Sequence, residues 1–280
     1  MVVAMGLSMF RPVFSVACLV TMVSWAAVAQ AQFRPPSASS TAVGERYHIE
    51  GAVVFWSAEP DLVISSESLG IPGDDIDLVN DLGVEKKRLR ELRLVLRPAP
   101  KHKFRINYLP IQYTAEAILQ REFVFNGQRY RIGLPVNTDA NLTTYRFGYE
   151  YDFVYRSRGY VGVLLDLKYT NVDVGLDSPI GEEFTTAVAP IPSIGVVGRG
   201  YLAPNVSITG EVSFFKIPEN LGGEDFGGRY LEYDFYGTYN FTENAGAQFG
   251  LRSIDVDYFQ EFDKGFLTFK GWYFGGVLRY

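Results

Sequence analysis

FLTFKGWYFGGVLRY, residues 266–280, alternates without a break. Trp272, Phe274, Leu278 and Tyr280 fall on one face, with Gly276 between them. Gly271, Tyr273, Gly275, Val277 and Arg279 fall on the other. A period of two marks a β-strand with two unlike faces. Soluble sheets also end in such strands, so the rest of the chain decides what this one closes.

Working back from it, the same alternation recurs. Tyr145, Phe147, Tyr149, Tyr151, Phe153 and Tyr155 oppose Arg146, Gly148, Glu150 and Asp152. Val161, Val163, Leu165, Leu167 and Tyr169 oppose Gly162, Asp166, Lys168 and Thr170. Val206, Ile208, Val212 and Phe214 oppose Ser207, Thr209, Glu211 and Ser213. Leu231, Tyr233, Phe235, Tyr239 and Phe241 oppose Glu232, Asp234, Tyr236, Thr238 and Asn240. Further strands are predicted over 45–56, over 86–97, from Phe104 with a bulge or change of face at Pro110, over 189–201 with weakening by Pro190 and Pro192, and over 245–258. Short turns at 98–103, 156–159, 202–205 and 242–246 alternate with longer loops at 57–85, 118–140, 173–187, 218–228 and 259–265. FNGQ (125–128) signals a short hairpin inside the second of these loops. Ten strands result. Eight remain if the Pro-interrupted runs fail, and twelve if 119–134 spans as a hairpin.

Composition agrees with an all-β chain. The 280 residues include 18 Tyr, 21 Phe and 28 Gly, a mix suited to half-buried strands and tight turns. The net charge of −6 argues against a nucleic-acid partner. Hydropathy near zero suits barrel strands that are only half apolar. The single cysteine, Cys18, falls in a leader, which leaves the mature chain without thiolate chemistry.

Residues 1–31 read as a secretory signal: Arg11, an apolar run over 13–29, and Ala29-Gln30-Ala31 as the cleavage pattern, with a cut after Ala31 or after Ala29. Cys18 does not sit in a lipoprotein pattern. FRPPSASSTAVGE (33–45) lies in a flexible segment assigned to 32–45, and the barrel is assigned to 46–280. No later run is long and apolar enough for a transmembrane helix.

A soluble barrel also alternates, with its apolar face turned inward. Three features favour a membrane instead. The chain carries 8 Lys against 18 Arg, and four of the lysines (Lys86, Lys87, Lys101, Lys103) sit at predicted strand ends; an enclosed lumen favours Arg paired with carboxylates. The apolar faces end in Tyr, Trp and Phe, which suit membrane interfaces. The strands reach the roughly nine to eleven residues needed to span. The amphipathic last strand, ending flush on an aromatic, resembles the closing strand of bacterial outer-membrane β-barrels. The resemblance implies an antiparallel up-and-down barrel in a Gram-negative outer membrane, with short periplasmic turns and longer outer loops. It implies that Trp272, Phe274, Leu278 and Tyr280 are read by the barrel assembly machinery. It also implies contact with lipid and lipopolysaccharide and, as expected here, a monomer. The alternative is a secreted lipocalin-like binder.

The predicted lumen face carries Glu50, Glu91, Arg93, Arg97, Arg105, Arg146, Glu150, Asp152, Asp166, Lys168, Glu211, Glu232, Asp234, Arg252 and Arg279. Either these pair into a filled polar core or they line a small selective pore. Small outer-membrane barrels also include lipid-modifying enzymes and proteases that commonly rely on a His. The two histidines here, His48 and His102, map to the short-turn end, so no catalytic residue and no cofactor is assigned. The alternative function is an outer-leaflet lipid enzyme or a surface-binding barrel. The acidic loop (Asp74, Asp75, Asp77, Asp81, Glu85) lacks calcium-loop spacing; it reads as a solvated loop, or as a bridge through divalent cations to lipopolysaccharide phosphates. IDLVNDLG (76–83) resembles segments of uncharacterised outer-membrane barrels and implies no activity. GGEDFGG (222–228) has no following helix and reads as a flexible loop.

Overall fold

The computed structural model describes residues 42–66, 70–217, 226–260 and 263–280. The predicted leader and the segment through 41 lie outside the described residues. The elements run β1 (Ile49–Ser65), β2 (Ile76–Asp77), β3 (Lys87–Ala99), β4 (His102–Ile118), β5 (Phe123–Phe125), β6 (Gln128–Tyr130), β7 (Pro135–Arg156), β8 (Gly159–Ser178), β9 (Gly181–Ala203), β10 (Val206–Lys216), β11 (Phe226–Asn240), β12 (Ala245–Gln260) and β13 (Asp263–Arg279). All strands except β2, β5 and β6 form one antiparallel ring, each beside its neighbour in sequence, and β13 pairs with β1 to close it. The wall therefore has ten strands. In the turn-side half every strand of the wall is paired on both sides, as a lipid environment requires.

The last strand makes the closure as its sequence suggests. Trp272, Phe274, Leu278 and Tyr280 are exposed on the outside, while Tyr273, Val277 and Arg279 are buried. Arg279 lies opposite Glu50 across the seam. The Tyr280 carbonyl accepts bonds from the His48 and Ile49 amides at 2.7 and 2.9 Å.

Several strands run further than the sequence suggests. β1 continues to Ser65, into what reads as a loop. The region 173–187 is not a loop: β8 and β9 pair through Ser178–Gly181 around a two-residue turn. β9 is not weakened by Pro190 and Pro192, because it pairs with β8 in unbroken register through both. Pro110 causes no bulge either; β4 pairs with β7 in constant register across it. Register shifts fall elsewhere: in β3 between Leu96 and Ala99, between β9 and β10 at Val206/Ser207, and in β7 between Tyr151 and Val154. The last has the largest effect on the lumen. It turns Phe153 and Val154 both outward and brings Tyr155 round to the inside, against Tyr160, Leu164 and Val197. Tyr155 thus belongs to the lumen rather than to an outer girdle.

The long strands have two zones of opposite polarity. Near the short turns the outside is apolar and the inside charged. Towards the long loops the pattern inverts. β4 faces inward with Lys103, Arg105 and Asn107, then with Leu109, Ile111 and Tyr113. Its outward face passes from Phe104 and Ile106 to the exposed Gln112, Thr114 and Glu116. β8 changes likewise, from Asp166 and Lys168 to Val172, Val174 and Leu176 inside, and from Leu165 and Leu167 to Asp173 outside. Tyr108, Tyr145 and Tyr169 stand side by side on the outer surface where the change occurs. Apolar-out wall suits lipid and polar-out wall suits water, so the strands cross the membrane and continue past it.

A roof closes the loop end. β5 and β6 form the hairpin that FNGQ signals, with Asn126 and Gly127 both at positive φ, 48° and 79°, as a type I′ turn requires. The loop occupies only 119–134. The hairpin locks onto the segment after β1: the Asp74 amide bonds the Val124 carbonyl at 2.9 Å, and the Asn126 amide bonds the Ser66 carbonyl at 3.2 Å. Leu78, Leu82, Val84, Leu119, Phe123, Phe125 and Tyr130 are buried beneath this roof. The acidic loop is therefore folded against the hairpin, with Asp74, Asp75 and Glu85 left exposed to solvent and Asp77 and Asp81 half-buried. Asp77 accepts bonds from the Val79 and Asn80 amides at 2.9 Å each, and Asp81 is clasped by Arg121.

Candidate functional site

The turn-side half of the lumen is a filled polar core. Its acids are Glu45, Glu50, Glu91, Glu150, Asp152, Asp166, Glu211, Glu232 and Asp234; its bases are Arg93, Arg97, Lys103, Arg105, Arg146, Lys168, Arg199, Arg252 and Arg279. These are nine of each, and each base has an ion-pair partner among the acids. Strand register explains much of the pairing: Lys103 on β4 faces Glu150 on β7 and bonds it at 2.5 Å, while Arg146 on β7, which faces Lys168, reaches diagonally to Asp166 on β8 at 2.6 Å, beside Gly148. Other contacts cross the bore. Arg93 on β3 reaches Asp234 on β11 at 3.2 Å, and Arg252 on β12 reaches Glu91 on β3 at 2.8 Å. Aromatic side chains complete the filling. Arg97 lies between Tyr47 and Tyr155, 5.2 and 5.1 Å from their rings, and Arg252 stacks on Trp56 at 5.3 Å. The void left in this core is about 30 Å³, room for a water or two.

Residues 42–47 seal the turn end. Within the segment expected to be flexible, the Val43 amide bonds the Pro204 carbonyl at 2.7 Å, and the Gly44 amide bonds Glu243 Oε2 at 2.8 Å. Glu45 accepts bonds from Arg199 at 2.9 Å and from the Tyr201 hydroxyl at 2.8 Å. Burial alone would raise the Glu45 pKa, but Arg199 and these hydrogen bonds outweigh it and hold the carboxyl below its usual range. Gly44 has φ +83°, and a Cβ there would lie 2.7 Å from Arg279 Nη1, so only glycine fits.

Every predicted lumen residue reaches this core. Three members were not singled out from sequence. Lys103 reads as a strand-end lysine yet is fully buried between Glu150 and Asp152. Arg199 sits on a strand that reads from sequence as weakened by prolines, and Glu45 in a segment that reads as a flexible linker. The histidines are at the turn end, as expected. His48 Nδ1 lies 3.3 Å from the Arg97 carbonyl, and His102 Nδ1 lies 2.7 Å from the Tyr149 hydroxyl.

Above the core lies a chamber of about 510 Å³. Its walls are Leu109, Ile111, Leu142, Val172, Ile191, Ile254, Val256, Leu267 and Phe269, and its floor is Glu91, Arg146, Lys168 and Arg252. The floor bases are already engaged: Arg146 holds Asp166 and Glu211 at 2.6 Å each, and Arg252 holds Glu91 and Glu232 at 2.8 and 2.5 Å. Lys168 donates to Ser193 and Ser213 at 2.7 and 3.2 Å. Sequence reading missed this chamber because it treated each inner face as uniformly polar. The signal was present in the switch to Leu109–Ile111, Val172–Val174 and Leu267–Phe269.

No protein-family model matches the chain, and no curated protein sequence matches it. Among solved structures it is similar to the outer membrane protease OmpT of Escherichia coli, with a TM-score of 0.56 and 8% identity over 83% of this chain and 96% of that one. It also aligns with the translocator domain of the autotransporter NalP from Neisseria meningitidis, at TM-score 0.38 and 8% identity over 95% and 98% of the two chains. The Pseudomonas putida toluene transporter TodX aligns at TM-score 0.38 and 8% identity over 86% and 94%. At these identities the likeness concerns the fold. The fold shared with that outer membrane protease is a closed antiparallel β-barrel, here with ten strands.

Proposed function

We propose that the protein is a non-enzymatic outer-membrane barrel that holds an apolar molecule in its loop-side chamber and is closed to ions. Short turns face the periplasm and the roof faces out. The observation that carries this reading is the stacking of an apolar chamber on a charge-balanced core whose void is about 30 Å³. A chamber of this size, with apolar walls over a floor of convergent polar groups, is typical of small-molecule sites. The filled core favours the paired-lumen alternative over a pore. The non-enzymatic reading is supported by the placement of His48 and His102 at the end away from the chamber, bonded to a carbonyl and to a tyrosine.

The test uses refolded protein held in amphipol and titrated with the uncharged fluorophore N-phenyl-1-naphthylamine. Saturable binding near one molecule per chain is expected, with loss of at least tenfold in affinity for Ile254→Asp or Leu267→Asp. Equal binding by these variants would overturn the chamber reading. Stepwise conductance of the wild type in planar bilayers would overturn the closed core.

A further inference from the structure

On three neighbouring strands the outer wall passes from apolar to basic. β3 turns Leu94 and Leu92 outward, and then Arg90 and Arg88. β13 turns out Phe274 and Trp272, and then Lys270. β1 lies between them and turns out Val53 and Phe55, and then Glu59. Register aligns the change: Phe55 faces Phe274 on one side and Arg90 on the other, and Glu59 faces Lys270. The patch therefore straddles the seam where the last strand closes on the first.

Its charges do not balance. Lys86, Arg88, Arg90 and Lys270 meet one acid, Glu59, and Lys86 bonds that acid at 2.7 Å. Among the described residues neither Arg90 nor Lys270 makes an ion pair. The Arg88 guanidinium lies over the Phe274 ring, 5.9 Å from its centre, as a cation does where apolar wall gives way to water. The other side of the barrel is different. Past the tyrosine row the exteriors of β4, β7 and β8 carry Glu116, Asp139, Asp173 and Asp177 and, among the described residues, no Lys or Arg. Solubility alone would intersperse the two signs rather than gather the bases at the seam.

A surplus of positive charge directly above an apolar band fits a lipid with an anionic head group. Its chains lie along Leu92, Leu94 and Phe274, and its charge meets the bases. The bases form two points rather than one. Arg88 and Arg90 stand on β3 and Lys270 on β13, two strand spacings or roughly 10 Å apart. A head group with two phosphates engages both points, whereas a single phosphate reaches one.

We infer that the seam patch binds the doubly phosphorylated, acylated glucosamine head of lipopolysaccharide directly, with no divalent cation between. The inference rests on the proposed outer-membrane placement with the roof facing out, and it is independent of the chamber.

The test is native mass spectrometry of the refolded chain in detergent micelles carrying graded amounts of lipid A, the bisphosphorylated glucosamine lipid itself. One retained lipid A per chain is expected. Its apparent affinity should fall at least tenfold in Arg88→Gln with Arg90→Gln, and severalfold in Lys270→Gln. Folding of each variant is checked by heat-modifiable mobility. Glu59→Gln gives an answer of opposite sign that misfolding cannot imitate: removing the one acid should tighten binding at least twofold. Lys101→Gln with Arg156→Gln removes as much charge at the turn end and should leave affinity unchanged. Phosphatidylglycerol and monophosphorylated lipid A should each be held at least tenfold more weakly, and a chelator should change nothing. Unchanged affinity in folded Arg88→Gln with Arg90→Gln, no tightening in Glu59→Gln, an equal loss in the turn-end control, equal retention of phosphatidylglycerol, or loss on chelation would overturn the patch. Equal retention of the monophosphorylated lipid would overturn recognition at two points. Recovery of the native protein with the inner membrane on a sucrose gradient, beside intact lipid A retention, would overturn the outer-membrane placement and lipopolysaccharide as the natural occupant, while leaving the phosphate site standing.

Discussion

Glu232 is the residue through which the closed core is best tested. Its carboxylate meets Arg252 through two nitrogens, at 2.9 and 2.5 Å, accepts a bond from the Tyr230 hydroxyl at 2.7 Å, and lies 3.5 Å from Lys168 and 3.9 Å from Arg146. Removing a sole partner from a buried ion costs about 3–5 kcal/mol. Here no base is left alone. Arg252 keeps Glu91 at 2.8 Å, Arg146 keeps Asp166 and Glu211, and Lys168 keeps its two serines with Asp166 at 3.6 Å. The loss in Glu232→Gln is one forked, charge-assisted contact, worth about 1.5–3 kcal/mol. Adding Arg252→Gln removes the excess positive charge, so the double variant should lie above the sum of the singles by about 1–2 kcal/mol. Urea unfolding in lipid vesicles, followed by tryptophan fluorescence and by heat-modifiable gel mobility, measures all three. Glu232→Gln within about 0.5 kcal/mol of wild type, or strictly additive singles, would refute the pairing described here.

Three further outcomes follow from the wall, the clasp and the roof. Leu165→Arg, in the middle of the exposed apolar band, should cost about 2–4 kcal/mol, whereas Phe153→Arg, beside the turn after β7, should cost about 1 kcal/mol or less; equal costs in vesicle unfolding would move the band. Gly44→Ala puts a side chain at left-handed φ and against Arg279, and should cost about 1–2 kcal/mol or more, read as a lower midpoint of heat modification. Hydrogen bonding to Arg121 holds the Asp81 carboxyl below its usual range. A depressed folded pKa gives stability that is present above the unfolded value and lost as pH falls through the folded one. Arg121 is 43% exposed, so screening limits the pair to about 0.2–1 kcal/mol. Protease nicking within 70–86 should therefore rise only at acid pH, and Arg121→Gln should raise it at neutral pH; pH-independent nicking would count against the clasp.

The membrane-crossing half of the barrel is legible because period-two alternation there keeps one polarity on each face. Trp272 to Tyr280, Tyr145 to Phe153 and Val161 to Tyr169 can each be assigned to a face from sequence. What escapes are features that depend on pairing between strands. The inward turn of Tyr155 needs the bulge after Tyr151, which only a comparison of β7 with β8 reveals. Pro190 and Pro192 look like strand breakers until the β8 ladder shows which edge they leave bare. Lys103 looks like a rim residue until β4 is seen to start at His102, which sets its side chain inward between two carboxylates.

The polarity inversion along the strands also explains why core and chamber belong together. In the lipid zone the outside must be apolar, so the inside can hold the charges that the narrow bore of a ten-strand barrel brings within pairing distance. Past the tyrosine row the outside meets water, and the hydrophobic effect drives the apolar residues inward. The same bore that is filled by long, paired Arg and Glu side chains below is lined by shorter Leu, Ile and Val above. Shorter side chains leave space, and the space left is the chamber. Core and chamber are thus two consequences of strands that outrun the membrane. Replacing wall residues by larger apolar ones, as in Val172→Phe with Ile254→Phe, should fill the chamber and lower fluorophore affinity at least tenfold while leaving bilayers silent. Retained affinity would show that the dye binds elsewhere.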